Sequence, residues 1–118
     1  MPEPAVIDPQ AIENLRSLNP GDDDQFIREI VAMFLEDAPQ RLAELDQCLA
    51  SGDSKKFARA AHSIKGSSSN LGAMALRREA ERLEESTRTA PPAALAPQIA
   101  AVKTEFERAK AELRRLFP

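Results

Sequence analysis

Between Ile27 and Leu49 the apolar residues keep one spacing: Ile27, Ile30, Val31, Phe34, Ala38, Leu42, Leu45 and Leu49. Recurrence at i, i+3, i+4 and i+7 places them on a single face of an α-helix. A helix of this length with one apolar side must bury that side against other helices, so this stripe constrains the fold more than any other feature. Pro39 conflicts with it, because an internal proline removes a backbone donor and bends or breaks a helix. The spacing continues unbroken through Pro39, which favours one bent helix over two. The acidic run Asp22–Asp24 suits the positive end of the helix. Ser51 and Gly52 close it after about Ala50, glycine being suited to the left-handed position past a helix end.

The same period recurs on both sides. Asp53 is a natural N-cap for a third helix that stops at Gly72, with Phe57, Ala61, Ile64, Ser68 and Leu71 as its apolar stripe. A fourth is predicted from about Ala73 to Ser86, with Leu76, Ala80 and Leu83 inward. Its charges, Arg77, Arg78, Glu79, Glu81, Arg82, Glu84 and Glu85, read as a solvated outer face. After a linker at Thr87–Pro92, the last helix carries a heptad seam of Leu95, Ile99, Val102, Phe106, Ala109, Leu113 and Leu116. At the start, residues 1–7 read as a flexible lead. Asp8 as N-cap and Pro9 at the first helical position then open a short helix over 8–18, with Ile12 and Leu15 on its apolar side and a turn at Asn19, Pro20 and Gly21. Short turns force neighbouring helices antiparallel. The expected fold is therefore all-α, one domain over 1–118: an antiparallel up-down four-helix bundle across 23–116 with a short additional N-terminal helix capping it.

Composition excludes several functions. A net charge of −3 leaves no basic excess for nucleic acid, and the aromatic residues are all phenylalanine, at 4%, too few for a base-stacking platform. No apolar run has the length of a signal peptide or membrane span, and the single Cys48 has no internal disulfide partner. These features predict a monomer in a reducing cytoplasm, with Cys48 as a small packing residue. The initial Met and short lead favour a free-standing protein. At 118 residues the chain is too small to add a nucleotide-binding domain to its core, so any phosphoryl group it handles comes from a partner.

His62 is the only histidine. On the third helix it shares a face with Ala58, Lys65, Gly66 and Ser69, rotated away from the apolar stripe, so it is expected to face outward. Counting across the turns puts it level with the region of Leu42 on the second helix and about Arg82 on the fourth. One histidine supplies too few ligands for a metal site, and no Ser, His and Asp arrangement is assembled for nucleophilic hydrolysis. Taken singly, a lone histidine, a lysine and a serine run are ordinary helix surface.

Together they are more specific. His62, Ser63, Ile64, Lys65, Gly66, Ser67, Ser68, Ser69, Asn70, Leu71 and Gly72 resemble the H-x-L-K-G-x-S-x-x-x-G pattern of histidine phosphotransfer (HPt) domains of multistep two-component phosphorelays, with Ile64 in place of leucine. FLEDAPQRLAELDQCL from Phe34 to Leu49 resembles the helix that precedes it in that family, proline included, and LGAMAL with the Glu-rich helix resembles the one that follows. The likeness spans roughly Asp23 to Glu85. It implies a phosphocarrier that is not an enzyme, in which His62 is the phosphoacceptor between aspartates of receiver domains of response regulators or hybrid sensor kinases. No cofactor of its own is implied, since magnesium belongs to the partner receiver. Lys65 and Ser69 are then placed to stabilise the phosphoryl group, and Gly66 and Ala58 to leave space for the receiver. Ala38, Arg41, Arg59, Arg78 and Arg82 are the docking candidates by level. Two alternatives share the features: the phospho-accepting domain of a chemotaxis-type kinase, and a helical docking module that is never phosphorylated.

Overall fold

A computed structural model describes residues 5–118. Helix α1 spans Pro9–Leu18, α2 Gln25–Ser51, α3 Ser54–Leu71, α4 Met74–Ser86 and α5 Ala96–Leu116, with a 3-10 turn at Pro92–Leu95 before α5. Neighbouring helices α2, α3, α4 and α5 pack side by side, and α5 closes back onto α2, so four antiparallel helices enclose one core. Helix α1 lies across α2 and α3 as the additional member.

The local chemistry accounts for the boundaries. Asp8 Oδ1 accepts the Gln10 amide hydrogen at 3.0 Å, with Pro9 at the first helical position. Asp53 Oδ1 does the same for Lys56 at 3.1 Å and opens α3. Helix α2 runs through Pro39 as one continuous helix, the proline on the solvent side next to buried Ala38. At its start the acidic run divides its work. Asp22, not Asp24, accepts the amide hydrogen of Phe26 at 3.0 Å, while Asp24 takes a left-handed backbone conformation and binds Arg16 of α1 through both carboxylate oxygens, at 3.0 and 3.2 Å. The end of α1 is thereby tied to the start of α2.

All five residues of the α3 stripe are buried, Ser68 included. Its hydroxyl is satisfied within the helix, donating to the Ile64 carbonyl at 2.5 Å, which is how a polar residue is kept in an apolar stripe. Phe34 and Phe106 meet across the core with ring centroids 5.6 Å apart and planes tilted by 53°. Cys48 is fully buried, and burial pushes its thiol pKa up, so it is inert packing. The heptad seam of α5 is buried from Ile99 to Leu113. Its ends differ: Leu95 is buried from the 3-10 turn instead of the helix, and Leu116 is 39% exposed.

The flexible lead is corrected at its end. Ile7 is buried, and the Asp8 amide donates to the Gly72 carbonyl at 2.9 Å, so the chain is pinned to the α3–α4 turn before α1 begins. Residues 1–4 lie outside the described residues. Gly72 serves this contact as well as the turn. It has φ +74°, and a Cβ there would lie 2.7 Å from the Ala11 Cβ and 3.0 Å from the Asp8 carbonyl oxygen. Gly52, at φ +72°, has nothing within 4 Å of such an atom. Gly52→Ala should therefore cost only the left-handed backbone penalty, about 1–2 kcal/mol, whereas Gly72→Ala adds displacement of α1 and should cost visibly more. Thermal denaturation of the two variants beside the wild type measures the difference, and equal losses would refute the packing role of Gly72.

Candidate functional site

Because the apolar stripe of α3 is buried, the opposite face is fixed outward, and the His62 side chain on it is 66% exposed. The ring is not free on both sides. Its Nδ1 lies 2.8 Å from Oε2 of Glu84 on α4, and the other oxygen of that carboxylate, Oε1, accepts from Lys65 Nζ at 2.7 Å. Lys65 and Glu84 are both about three-quarters buried, so the pair forms a floor beneath one edge of the imidazole.

This arrangement decides the histidine's chemistry. An ionised carboxylate only accepts hydrogen bonds, so Nδ1 carries the proton when it contacts Glu84, and in the neutral ring Nε2 holds the lone pair. Partial burial alone raises the Glu84 pKa, but the hydrogen bonds from Lys65 and His62 and their charges outweigh it, and the carboxyl is held below its ordinary range. Glu84 is therefore ionised at neutral pH. The site is a nucleophilic nitrogen facing solvent, oriented from behind by a carboxylate that a lysine shares.

Other residues of the histidine's face fall into place unevenly. A Cβ on Gly66 would meet nothing within 4 Å, so the surface one turn from His62 is open. Ala58 is half-buried and adds only a methyl group. Ser69 is exposed but two helical turns from His62, about 10 Å along the axis, too far to bond the ring, and its side chain makes no hydrogen bond among the described residues.

Four of the docking candidates need correction. Ala38 is 2% exposed and belongs to the core. Arg41 is half-buried between Asp37 and Glu44, its guanidinium bonded to both. Arg78 and Arg82 occupy the α5 side of α4: Arg78 lines a cleft with Glu105 and Arg108, and Arg82 one with Gln98. Arg59 is exposed on the outer face of α3, one turn before His62, and is the one arginine candidate on the histidine's own helix.

Glu84, which contacts both His62 and Lys65, is the residue of the candidate site that sequence reasoning missed. Counting across the turn reached Arg82, two positions short, and in a helix full of alternating charges a single carboxylate does not stand out. Helical spacing groups Arg77, Glu81 and Glu84 on one face and leaves Arg82 off it, but that this face turns toward α3 is set by the packing of the two helices.

Among the described residues, no group of three or more His, Cys, Asp or Glu side chains is placed to hold a metal ion, and no helix is long and apolar enough to cross a membrane. The family model for the Hpt domain matches residues 29–112. Multistep phosphorelay regulator 1 of Schizosaccharomyces pombe is 32% identical over 79 residues, 67% of this chain but 27% of that much longer protein. Among solved structures, histidine-containing phosphotransfer protein B (HptB) from Pseudomonas aeruginosa PAO1 superposes with a TM-score of 0.80 at 27% identity, covering 96% of this chain and 95% of that one. MtHPt2 from Medicago truncatula has the same fold, with a TM-score of 0.83 at 21% identity over 95% of this chain and 77% of that one.

Two measurements check the geometry of the site. With a single histidine, the 15N NMR spectrum of the ring should show a protonated Nδ1 and a bare Nε2 in the neutral form, and Glu84→Ala should shift the balance toward the opposite tautomer. Stability should follow the Glu84 carboxyl. A carboxyl whose pKa is lower folded than unfolded contributes above its unfolded value and loses that contribution as pH falls through the folded value. The stability gap between wild type and Glu84→Gln should thus be level near neutrality and close under acid, below the ordinary value of 4.5. A gap independent of pH would show that the Glu84 contacts do not hold in solution.

Proposed function

The chain belongs to the Hpt domain family, the histidine phosphotransfer proteins of phosphorelays, and from that premise we propose that it carries a phosphoryl group on His62 Nε2, reversibly, between receiver-domain aspartates. The observation that carries this reading is the exposed Nε2 with Nδ1 held by Glu84.

The Nε2 lone pair attacks the phosphorus of an aspartyl phosphate on the incoming receiver. A P–N bond forms, the P–O bond to the aspartate breaks, and the aspartate leaves as a carboxylate. The ring becomes a phosphoimidazolium, protonated at Nδ1 as before, so no proton moves and no base is required. Its new positive charge lies against Glu84, which strengthens that hydrogen bond as the reaction proceeds. In the return step a second receiver's aspartate oxygen attacks phosphorus, and Nε2 leaves as a neutral imidazole with its lone pair restored. Glu84 thus serves both directions.

Lys65 starts bound to Glu84 and lies one turn from the ring, close enough to turn toward the phosphoryl oxygens. In an open site that attraction is worth about 1 kcal/mol. The open surface at Gly66 admits the receiver loop that presents the aspartate. Magnesium belongs to the acidic site of the receiver. The chain itself is a carrier that is regenerated, without a nucleotide site of its own, acting as a monomer in the cytoplasm.

Incubating the protein with a labelled, phosphorylated receiver should place acid-labile, alkali-stable phosphate on the chain. His62→Gln should abolish it with the circular dichroism unchanged, since the position is exposed and no second histidine exists. Glu84→Ala should slow acceptance about tenfold or more, the worth of a charge-assisted hydrogen bond of roughly 1.5–3 kcal/mol. Full labelling of His62→Gln would end the assignment, and label taken only from an ATP-loaded kinase domain would move it to the chemotaxis-type acceptor. Gly66→Ala should keep or raise the melting temperature, because glycine inside a helix costs about 1 kcal/mol relative to alanine, while Gly66→Gln should block transfer from the receiver in a folded protein.

A further inference from the structure

On the α2 side of the histidine's ridge lies a groove of about 490 Å³ between α2 and α3, lined by Met33, Phe34, Glu36, Asp37, Ser67 and Asn70 among others. His62, Gly66 and Asn70 follow one i, i+4 row of α3, and Asn70 forms the groove's edge. The row carries no bulk at Gly66, so the surface is continuous from the acceptor to the groove. Eight residues of helix span about 12 Å. Transient signalling contacts bury under about 1,200 Å² in total, about 600 Å² on each partner, a disc of roughly 14 Å radius. A receiver centred on His62 with even such a small footprint therefore reaches the groove.

Its chemistry is one-sided. Met33 at the rim is 68% exposed, and Ile30, Phe34 and Leu71 make an apolar floor. The other large apolar side chains exposed on the helices lie elsewhere, Leu18 at the end of α1, Met74 in the cleft of Arg78 and Leu116 beside Phe117. No lysine or arginine lines the groove. Glu36 forms no ion pair among the described residues, and Arg41 beneath divides its single charge between Asp37 and Glu44, which leaves three carboxylates against one guanidinium. On the other flank of His62 the charges are already matched, Lys65 to Glu84.

We propose that this groove selects the receiver: the partner that exchanges phosphate with His62 docks on the α2 side and presents an apolar side chain to Met33, flanked by a lysine or arginine facing Glu36 and Asp37. The inference rests on the phosphotransfer reading and adds to it the side of approach and the charge of the partner. Opposite charges across the rim of such an interface act mainly on association rate and on discrimination among partners.

The test uses a phosphorylated receiver that labels the wild-type chain, with potassium phosphoramidate as a donor that needs no docking. Met33→Asp, and the pair Glu36→Lys with Asp37→Lys, should each lower the second-order transfer rate from the receiver about tenfold or more, while phosphoramidate still labels His62 at the wild-type rate. Raising salt from about 50 to about 500 mM should slow the wild type and speed the lysine pair, because screening weakens the attraction in the one and the repulsion in the other. Arg78→Glu with Arg82→Glu, on the far side of α4, should transfer normally. If the lysine pair loses phosphoramidate labelling and so has misfolded, the isosteric pair Glu36→Gln with Asp37→Asn replaces it and must lose the salt dependence. Wild-type transfer rates in the α2 variants, or a loss confined to the α4 pair, would overturn the groove while leaving the phosphocarrier reading intact. A wild-type chain that accepts phosphate from no receiver would instead overturn the carrier reading, and the groove proposal with it.

Discussion

Burial of one face of α3 decides which way His62 points. Phe57, Ala61, Ile64, Ser68 and Leu71 are almost completely excluded from solvent, and a helix locked by that many contacts cannot rotate to hide its histidine. Exposure of the ring is thus a consequence of core packing one helical half-turn away. Substitution of Ile64 or Phe57 by a small side chain would loosen the rotation of α3 and disturb the ring without touching it, since large-to-small changes in a core cost about 2–5 kcal/mol and let neighbours shift.

Rotation alone leaves the ring's partner undetermined, and the α3–α4 turn supplies it. Gly72 ends α3 in the left-handed conformation, Ala73 hydrogen-bonds back to Ser68, and α4 starts at once, so the two helices have a fixed register. In that register Glu84 lies opposite the interval between His62 and Lys65 and bonds to both. A turn one residue longer would rotate α4 by about 100° and present a different side chain. The same turn receives the segment before α1, so the end of α3, the start of α4 and the entry of α1 share one glycine.

Much of this was legible in the sequence. Stripe positions apart from the two ends of the last seam, N-caps at Asp8 and Asp53 and the helix ends at Gly52 and Gly72 follow from local chemistry, and each falls where the sequence placed it. Continuity through Pro39 was readable because the stripe does not change phase there. Illegible was whatever depends on contacts between helices. Glu84 as the ring's partner, the burial of Ala38 and the turning of Arg78 and Arg82 toward α5 all require the relative rotation of α2, α3 and α4, which no single-helix pattern encodes. Ser69 failed differently: helical spacing puts it on the histidine's face, but sharing a face two turns apart is not contact. Ile7 was missed because one apolar residue in a short proline-rich lead has no period to reveal it.

The carboxylate shared by His62 and Lys65 limits how much the surface changes when the protein is loaded. In the form that attacks phosphorus, the three groups sum to neutrality, with a neutral ring, an ammonium and a carboxylate. Loaded, the phosphoryl group brings a charge of about −2, but the ring held protonated against Glu84 returns one positive charge. The loaded and empty forms then differ by about one unit instead of two. A carrier that must bind a donor while empty and an acceptor while loaded presents nearly the same electrostatic surface to both, so the direction of flow is left to the relative phosphorylation of its partners.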